Sequence, residues 1–600
     1  FNINPLAHYK DADGNILGTP IPDGQSWNPL LDAANWDRET LRTRTFGNAF
    51  AGYELLEGLN LQTTFGADMI FVREGEFRGA MTQPNRGSSN NAWVERSQTF
   101  NYVSTTQLTL ERQLADAHRI NATVLYEVQN DRWDRQRTDV QNLPYEYQKW
   151  YNLATAGNLT GASADYREWL LQSFMGRVHY TLLDRYNFTM TGRQDCSSRL
   201  APGNKCTFFP SAAARWRVSD EAFMQNVGVL SDLSLRFSYG RTGNTSIAPY
   251  QTQGSLTRTE YSFGDVGANG FRPNELSNAE LEWEKTETYD LGLDFGILNN
   301  RVSGTIDAYV ANTFDLLMER QLPTTSGFGE VLENVGETRN RGLEVALSTV
   351  NLDGWNGLTW TSDFNVSLNR NEIVSLYGGT EDDVGNRWFI GEPINVLYEL
   401  EFDGIWQADE AEEAASYSRK VGDIKVVDQN NDGRVTDADR VIIGNHFNFP
   451  DWTAGLSNRM QYGAFDLSSL IVARQGYMLD AGMWPGAMAG RYNQVKLNYW
   501  TPENPTNDFP RPNQDQESAI DNGAVQIMDG SHWRVRNITL GYNVPASLMS
   551  RLSDNSSLRV YAQAQDPFVF TDFPGFDPEG AGGTQVPSYR TLLVGASVGF

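Results

Sequence analysis

The feature that most constrains this 600-residue chain is a period-two alternation of apolar and polar residues, repeated over segments of about ten residues between turn clusters. The final segment shows it plainly. Leu592, Val594, Ala596, Val598 and Phe600 fall on one face, and Thr591, Leu593, Gly595, Ser597 and Gly599 on the other. Trp360, Phe364, Val366 and Leu368 likewise oppose Thr361, Asp363, Asn365, Ser367 and Asn369, and Leu291, Leu293 and Phe295 oppose Asp290, Gly292 and Asp294. A soluble sandwich also alternates. What separates this chain is the strength of the second face, which carries Asp, Asn, Arg and Gly as a water-filled or plugged lumen would. Roughly eighteen such segments can be counted, more than a twisted open sheet holds without closing. The expectation is an all-β fold, a large antiparallel transmembrane β-barrel.

Composition agrees. No run of about 18 apolar residues exists, so helical membrane spans are excluded. A mean hydropathy of -0.49 is compatible with strands in lipid, because only alternate residues face hydrocarbon. The 54 Gly, 16 Trp, 25 Tyr and 30 Phe favour strands and turns. A net charge of -27 argues against a basic nucleic-acid groove.

Connections alternate in length. Short turns stand at Leu182–Arg185, Leu298–Arg301 and Tyr462–Asp466, and long polar insertions at about 71–96, 131–167, 375–450 and 477–530. In a bacterial barrel the short turns face the periplasm and the long loops face outward. The two cysteines, Cys196 and Cys206, flank a Gly/Pro-containing stretch between two strand-like segments. They are placed to form a disulfide across a hairpin in an oxidising compartment, free thiols being the alternative.

Ordered segments carry a family resemblance. Phe174–Asp195, Phe209-Pro210-Ser211, LRFSYGRTGN (235–244), the long run 291–317, LPTTSGFG (322–329) and NVGETRNRGLEVAL (334–347) come first. The stretch 422–444, WTPENP (500–505), VRNITLGYNVP (535–545), FTDFPGFDPE (570–579) and YRTLLVGASVGF (589–600) follow. Together they resemble the SusC/RagA-like branch of TonB-dependent transporters, nutrient importers of Bacteroidota-type outer membranes. The family usually has Gly where Cys196 stands. The resemblance implies a barrel of the roughly 22-stranded type with a plugged lumen, to which residues 1–600 contribute the C-terminal portion. It implies energy from the TonB complex through an N-terminal region not in this chain, and a SusD-like surface lipoprotein as a lid. It also implies an oligosaccharide or oligopeptide as cargo. A passive or structural barrel and a siderophore-type receptor are the competing readings.

The sharpest local motif lies on the 375–450 insertion. Asp428, Asn430 and Asp432 stand at positions 1, 3 and 5 of an EF-hand-like loop, with Gly433 at the sharp turn. The Arg434 carbonyl, Thr436 and Asp439 follow at positions 7, 9 and 12. The spacing suits Ca²⁺, although Asp replaces the bidentate Glu at position 12. The same residues also make a turn held by its own side chains. Gly595–Gly599 fits G-x-S-x-G by accident, since no strand-turn-helix or downstream His can follow. His8, His118, His179, His446 and His532 are scattered, and no catalytic constellation emerges, so the chain is not read as an enzyme. Trp388, Trp406, Trp484 and Trp500 are candidates for stacking on sugar rings, with loop packing the commoner role. Phe600, a terminal aromatic on an alternating strand, resembles the signal by which barrels are recognised for assembly.

Overall fold

The computed structural model describes residues 8–20, 27–224, 226–377, 379, 381–444, 447–481, 497–513, 519–545, 547, 556–580 and 588–599. Its dominant element is a 17-stranded sheet. The first eight strands are β1 Trp36–Leu56, β2 Leu59–Arg78, β3 Asn91–Ala115, β4 His118–Gln141, β5 Asn158–Leu182, β6 Tyr186–Ser197, β7 Cys206–Arg217 and β8 Leu230–Asn244. They are followed by β9 Glu284–Ile297, β10 Val302–Phe314, β11 Glu337–Trp355, β12 Leu358–Ser375, β13 Trp452–Tyr462 and β14 Phe465–Gln475. The sheet ends with β15 His532–Asn543, β16 Ser557–Thr571 and β17 Thr591–Gly599. Every strand pairs antiparallel with the next in sequence, an up-and-down meander. Among the described residues no pairing joins β17 to β1.

Register sorts the side chains into two faces, because cross-strand partners share a side. On the outer face Val594 opposes Ala562, Ile538 opposes Ala564, and Leu467 opposes Leu540. This face is apolar and bare: Leu592 and Val594 are each 83% exposed and Met190 is 70% exposed. Such exposure is untenable in water over so large a sheet and is what lipid-facing positions require.

The inner face is charged and internally paired. Asp466 on β14 meets Arg559 on β16, Nε to Oδ1 at 3.0 Å, across the intervening β15. Gly541 lies between them, where a Cβ would come within 2.5 Å of Asp466 Oδ1 and of the Arg559 guanidinium. Arg236 on β8 bridges Asp294 at 2.9 Å and Asp307 at 2.7 Å in the same manner, over Gly292. Glycine at these inward positions leaves the space through which long side chains reach across a strand.

Strands β2 to β5 are longer than a bilayer needs, about 9–11 tilted residues being sufficient. The insertions expected at 71–96 and 131–167 are therefore mostly strand, and the connections shrink to 79–90 and 142–157. Alternation in these stretches is masked by polar residues on both faces, because above the hydrocarbon both faces are wet. The connection 245–283 is an outward insertion that the sequence reading did not single out; it carries a two-stranded hairpin pairing Leu256–Phe263 with Val266–Pro273.

Candidate functional site

The outward connections build the second part of the molecule. Their largest core lies over the β12–β13, β14–β15 and β16–β17 connections and gathers Leu400, Ile405, Ile424, Tyr477, Leu479, Trp500, Phe509 and Phe573. Trp406 and Trp500 are buried. The Trp500 indole Nε1 donates to Gln407 Oε1 at 3.0 Å, and Lys425 lies over the Trp406 ring at 4.7 Å. Both are packing residues. Trp388 instead lines a cavity of about 510 Å³ among three outward connections, with Gln251, Glu319 and Leu332. Trp484 and His446 lie outside the described residues, as does Phe600.

Beside that core, on the inner face, is a buried charged cluster. His532 and Arg534, successive inward positions of β15, are 1% and 2% exposed. His532 Nδ1 donates to the Gly530 carbonyl at 2.9 Å, and its Nε2 faces Glu579 Oε1 at 3.2 Å. Both ring nitrogens thus face acceptors. Arg536 donates to Glu579 at 2.7 Å, Arg534 Nε lies 3.1 Å from Glu579 Oε2, and Arg534 also pairs with Asp577. Burial alone would raise the Glu579 carboxyl, but the His532 hydrogen bond and the Arg534 and Arg536 charges outweigh it and bring it down to about 2. Burial pushes the neighbouring Tyr477 hydroxyl up to about 12, and that hydroxyl donates to the Pro578 carbonyl at 3.1 Å. A cavity of about 450 Å³ opens beside this cluster, lined by Phe447, Arg474, Tyr477 and Glu579. Sequence reading passed over His532 as one of five scattered histidines, since its partner is remote in sequence. The nearest local signal is the alternation that puts His532 and Arg534 on one face.

The expected cation loop is a compact turn. Asp428 Oδ2 accepts from the Gly433 N–H at 2.9 Å, Asn430 Oδ1 from Asp432 N–H at 2.9 Å, and Asp432 Oδ1 from Arg434 N–H at 2.9 Å. Asp439 is fully buried and accepts from Thr436 N–H at 2.8 Å and Gln429 N–H at 3.1 Å. The Thr436 backbone bond, with those of Asn430 and Gln429, holds its carboxyl below the usual range against the opposing effect of burial. Among the described residues no three carboxylate, histidine or cysteine groups come together closely enough to hold an ion. Cys196 and Cys206 are directly opposite across β6 and β7 and form a disulfide.

The arrangement is a wide sheet with a lipid-facing exterior, an ion-paired interior and a folded outward cap. It offers a passage and a recognition surface. Comparison with known proteins agrees. The family described as TonB dependent receptor-like, beta-barrel matches residues 1–565. The TonB-dependent receptor P3 of Formosa agariphila is 31% identical over 95% of this chain and 58% of its own length. The TonB-dependent receptor SusC of Bacteroides thetaiotaomicron is 30% identical over 72% of this chain and 44% of its own. The solved RagAB peptide transporter superposes on 98% of this chain and 65% of its own with a TM-score of 0.85, at 23% identity. The chain thus spans about 44–65% of the length of these three proteins. On this combined ground of faces, register and likeness, the chain belongs to the TonB-dependent receptor-like β-barrels of the outer membrane, on their SusC/RagA-like side.

Proposed function

We propose that this chain is the wall and outward recognition surface of a TonB-dependent importer of nutrients, with oligosaccharides or oligopeptides as cargo. The observation that carries the reading is the inner face: its charges are paired across strands, so a broad lumen is lined by fixed, hydrated dipoles that suit a large polar solute. Similarity to SusC and to the RagAB peptide transporter supports the same class. A SusD-like lipoprotein is the proposed lid. The hairpin 256–273 supports this, since it projects from the outward end with Phe263, Val266 and Phe271 each about 70% exposed, a surface that a protein partner would cover. The Ca²⁺ reading of the 428–439 turn is kept as a separate proposal. Terbium luminescence with the intact protein tests it, and the absence of Ca²⁺-displaceable emission would end it.

The test of import is uptake by whole cells of fluorescent oligosaccharide and peptide pools, with and without a working TonB complex. Energy-dependent accumulation of one pool is expected. Equal flux without TonB, or ohmic conductance of the intact protein in planar bilayers, would establish a passive pore instead.

A further inference from the structure

On the inner face of β4 and β5, four residues occupy one square of the register: Trp133 stands opposite Arg167, and Asp131 opposite Trp169. The Arg167 guanidinium lies over the Trp133 ring at 4.3 Å. The outward turn after β6 brings Arg199 to the same square, over the Trp169 ring at 4.4 Å. Two arginines from separate segments are thus each seated on an indole. Three other inward arginines of β4 and β6 are neutralised: Arg135 by Asp165 at 2.6 Å, Arg137 by Asp139 at 2.8 Å, and Arg193 by Asp195 at 2.8 Å. Arg167 and Arg199 make no ion pair among the described residues. Arg199 Nη1 donates to the Thr245 carbonyl at 3.1 Å, and its Nε is buried with no acceptor among the described residues. Burial pulls the Arg199 guanidinium below the ordinary arginine range; Asp131 opposes that pull, and the charge of Arg167 adds to it. Asp131 itself sits 2.6 Å from the Asn101 amide. The square therefore sets two guanidiniums against one carboxylate, in a protein whose net charge is -27.

We propose that Arg167 and Arg199 bind the carboxylate or sulfate ester of an acidic oligosaccharide in the lumen; the inference rests on the import reading above and names the chemistry of its cargo. Stacking on Trp133 fixes the plane of the Arg167 fork and leaves its N–H edges to take one anion through two parallel hydrogen bonds. Arg199, held by Trp169 and the Thr245 carbonyl, adds a second fixed charge, and an anion between the two offsets their mutual repulsion. The indoles favour a sugar over a peptide. A uronic acid or sulfated pyranose presents a flat C–H face beside its charge, so one ring meets an indole while its anion meets a guanidinium. Trp133 and Trp169 are diagonal neighbours, whose backbones lie roughly 7–8 Å apart, so adjacent rings of one chain each reach an indole. Asp131 opposes the anion and limits the affinity, as a cargo that must be released requires.

The test is equilibrium dialysis of the detergent-extracted full-length transporter against three pools, with both chambers read by mass spectrometry. The pools are uronic-acid and sulfated oligosaccharides, the same oligosaccharides after methyl esterification and desulfation, and glutamate-rich peptides. Wild type is expected to bind members of the acidic sugar pool about tenfold or more tighter than their neutral counterparts. Each of Arg167→Gln and Arg199→Gln weakens binding of the acidic sugars about tenfold, as loss of one charge-assisted contact does, and leaves the neutral sugars unchanged. Asp131→Asn strengthens acidic binding. Unchanged β-sheet circular dichroism shows that the variants are folded. Equal binding of acidic and neutral sugars, binding of the acidic peptides alone, binding of no pool, or glutamine variants that weaken neither sugar or both alike would each overturn the proposal. Binding in detergent needs no energy source, so its failure is distinct from failure of TonB-dependent uptake, which tests import.

Discussion

His532 and Glu579 meet at 3.2 Å, and through them the first inward residue of β15 is fastened to the outward connection after β16. The contact is local in space and remote in sequence. Its neighbours Arg534 and Arg536 make Glu579 the common partner of two guanidinium groups and an imidazole. Removing that acceptor leaves the buried Arg534 guanidinium, among the described residues, with Asp577 and Asp566.

Glu579→Gln is therefore expected to loosen the 572–580 connection and to destabilise it by about 2 kcal/mol. The pH dependence has a definite sign. Glu579 is held down to about 2 in the fold, so its stabilisation is complete above the ordinary carboxylate range near 4.5 and is lost as pH falls toward 2. Hydrogen exchange of the connection at pH 7, 5 and 3.5 should show acid loosening in wild type and a flatter response in the variant.

Gly541→Val tests the across-strand pairing of Asp466 and Arg559. Its Cβ has no room beside their head groups, so the pair must part and the strand must shift. A loss of about 1–3 kcal/mol is expected in urea unfolding from lipid vesicles, the usual cost of overpacking.

The two faces of β17 should respond oppositely to charge. Val594→Arg places a cation in hydrocarbon and is expected to cost about 2–4 kcal/mol. Leu593→Arg faces the lumen opposite the neutral Gln563 and should be nearly neutral. Folding yield into vesicles, read by gel mobility without boiling, distinguishes them.

The disulfide has a direct chemical signature. Without reductant, Cys196 and Cys206 should resist alkylation in the unfolded protein, and reduction should expose both. Cys196→Ser with Cys206→Ser should lower stability by about 2–3 kcal/mol for so short a loop.

Much of the wall was legible because a β-strand writes its environment into alternate residues. The facing sets around Phe364, Leu291 and Val594 are those the register displays. Among the described residues the large sheet has 17 strands against roughly eighteen segments counted, and the same alternation served poorly where β2 to β5 rise above the membrane. There Asp134 and Gln136 stand on the outer face exactly where apolar residues would have marked a strand.

The sequence by itself determined the two-faced strands, the alternation of short turns and long connections, and the family, since each is carried by residues adjacent along the chain. Only the tertiary structure decided which charges are neighbours. It placed Glu579 on His532, set Arg96 opposite Arg73, and buried Trp406 and Trp500 while leaving Trp388 in a cavity wall. The physical reason is range: backbone pleating fixes side at every second residue, whereas electrostatic and packing partners are set by how distant strands and loops come together.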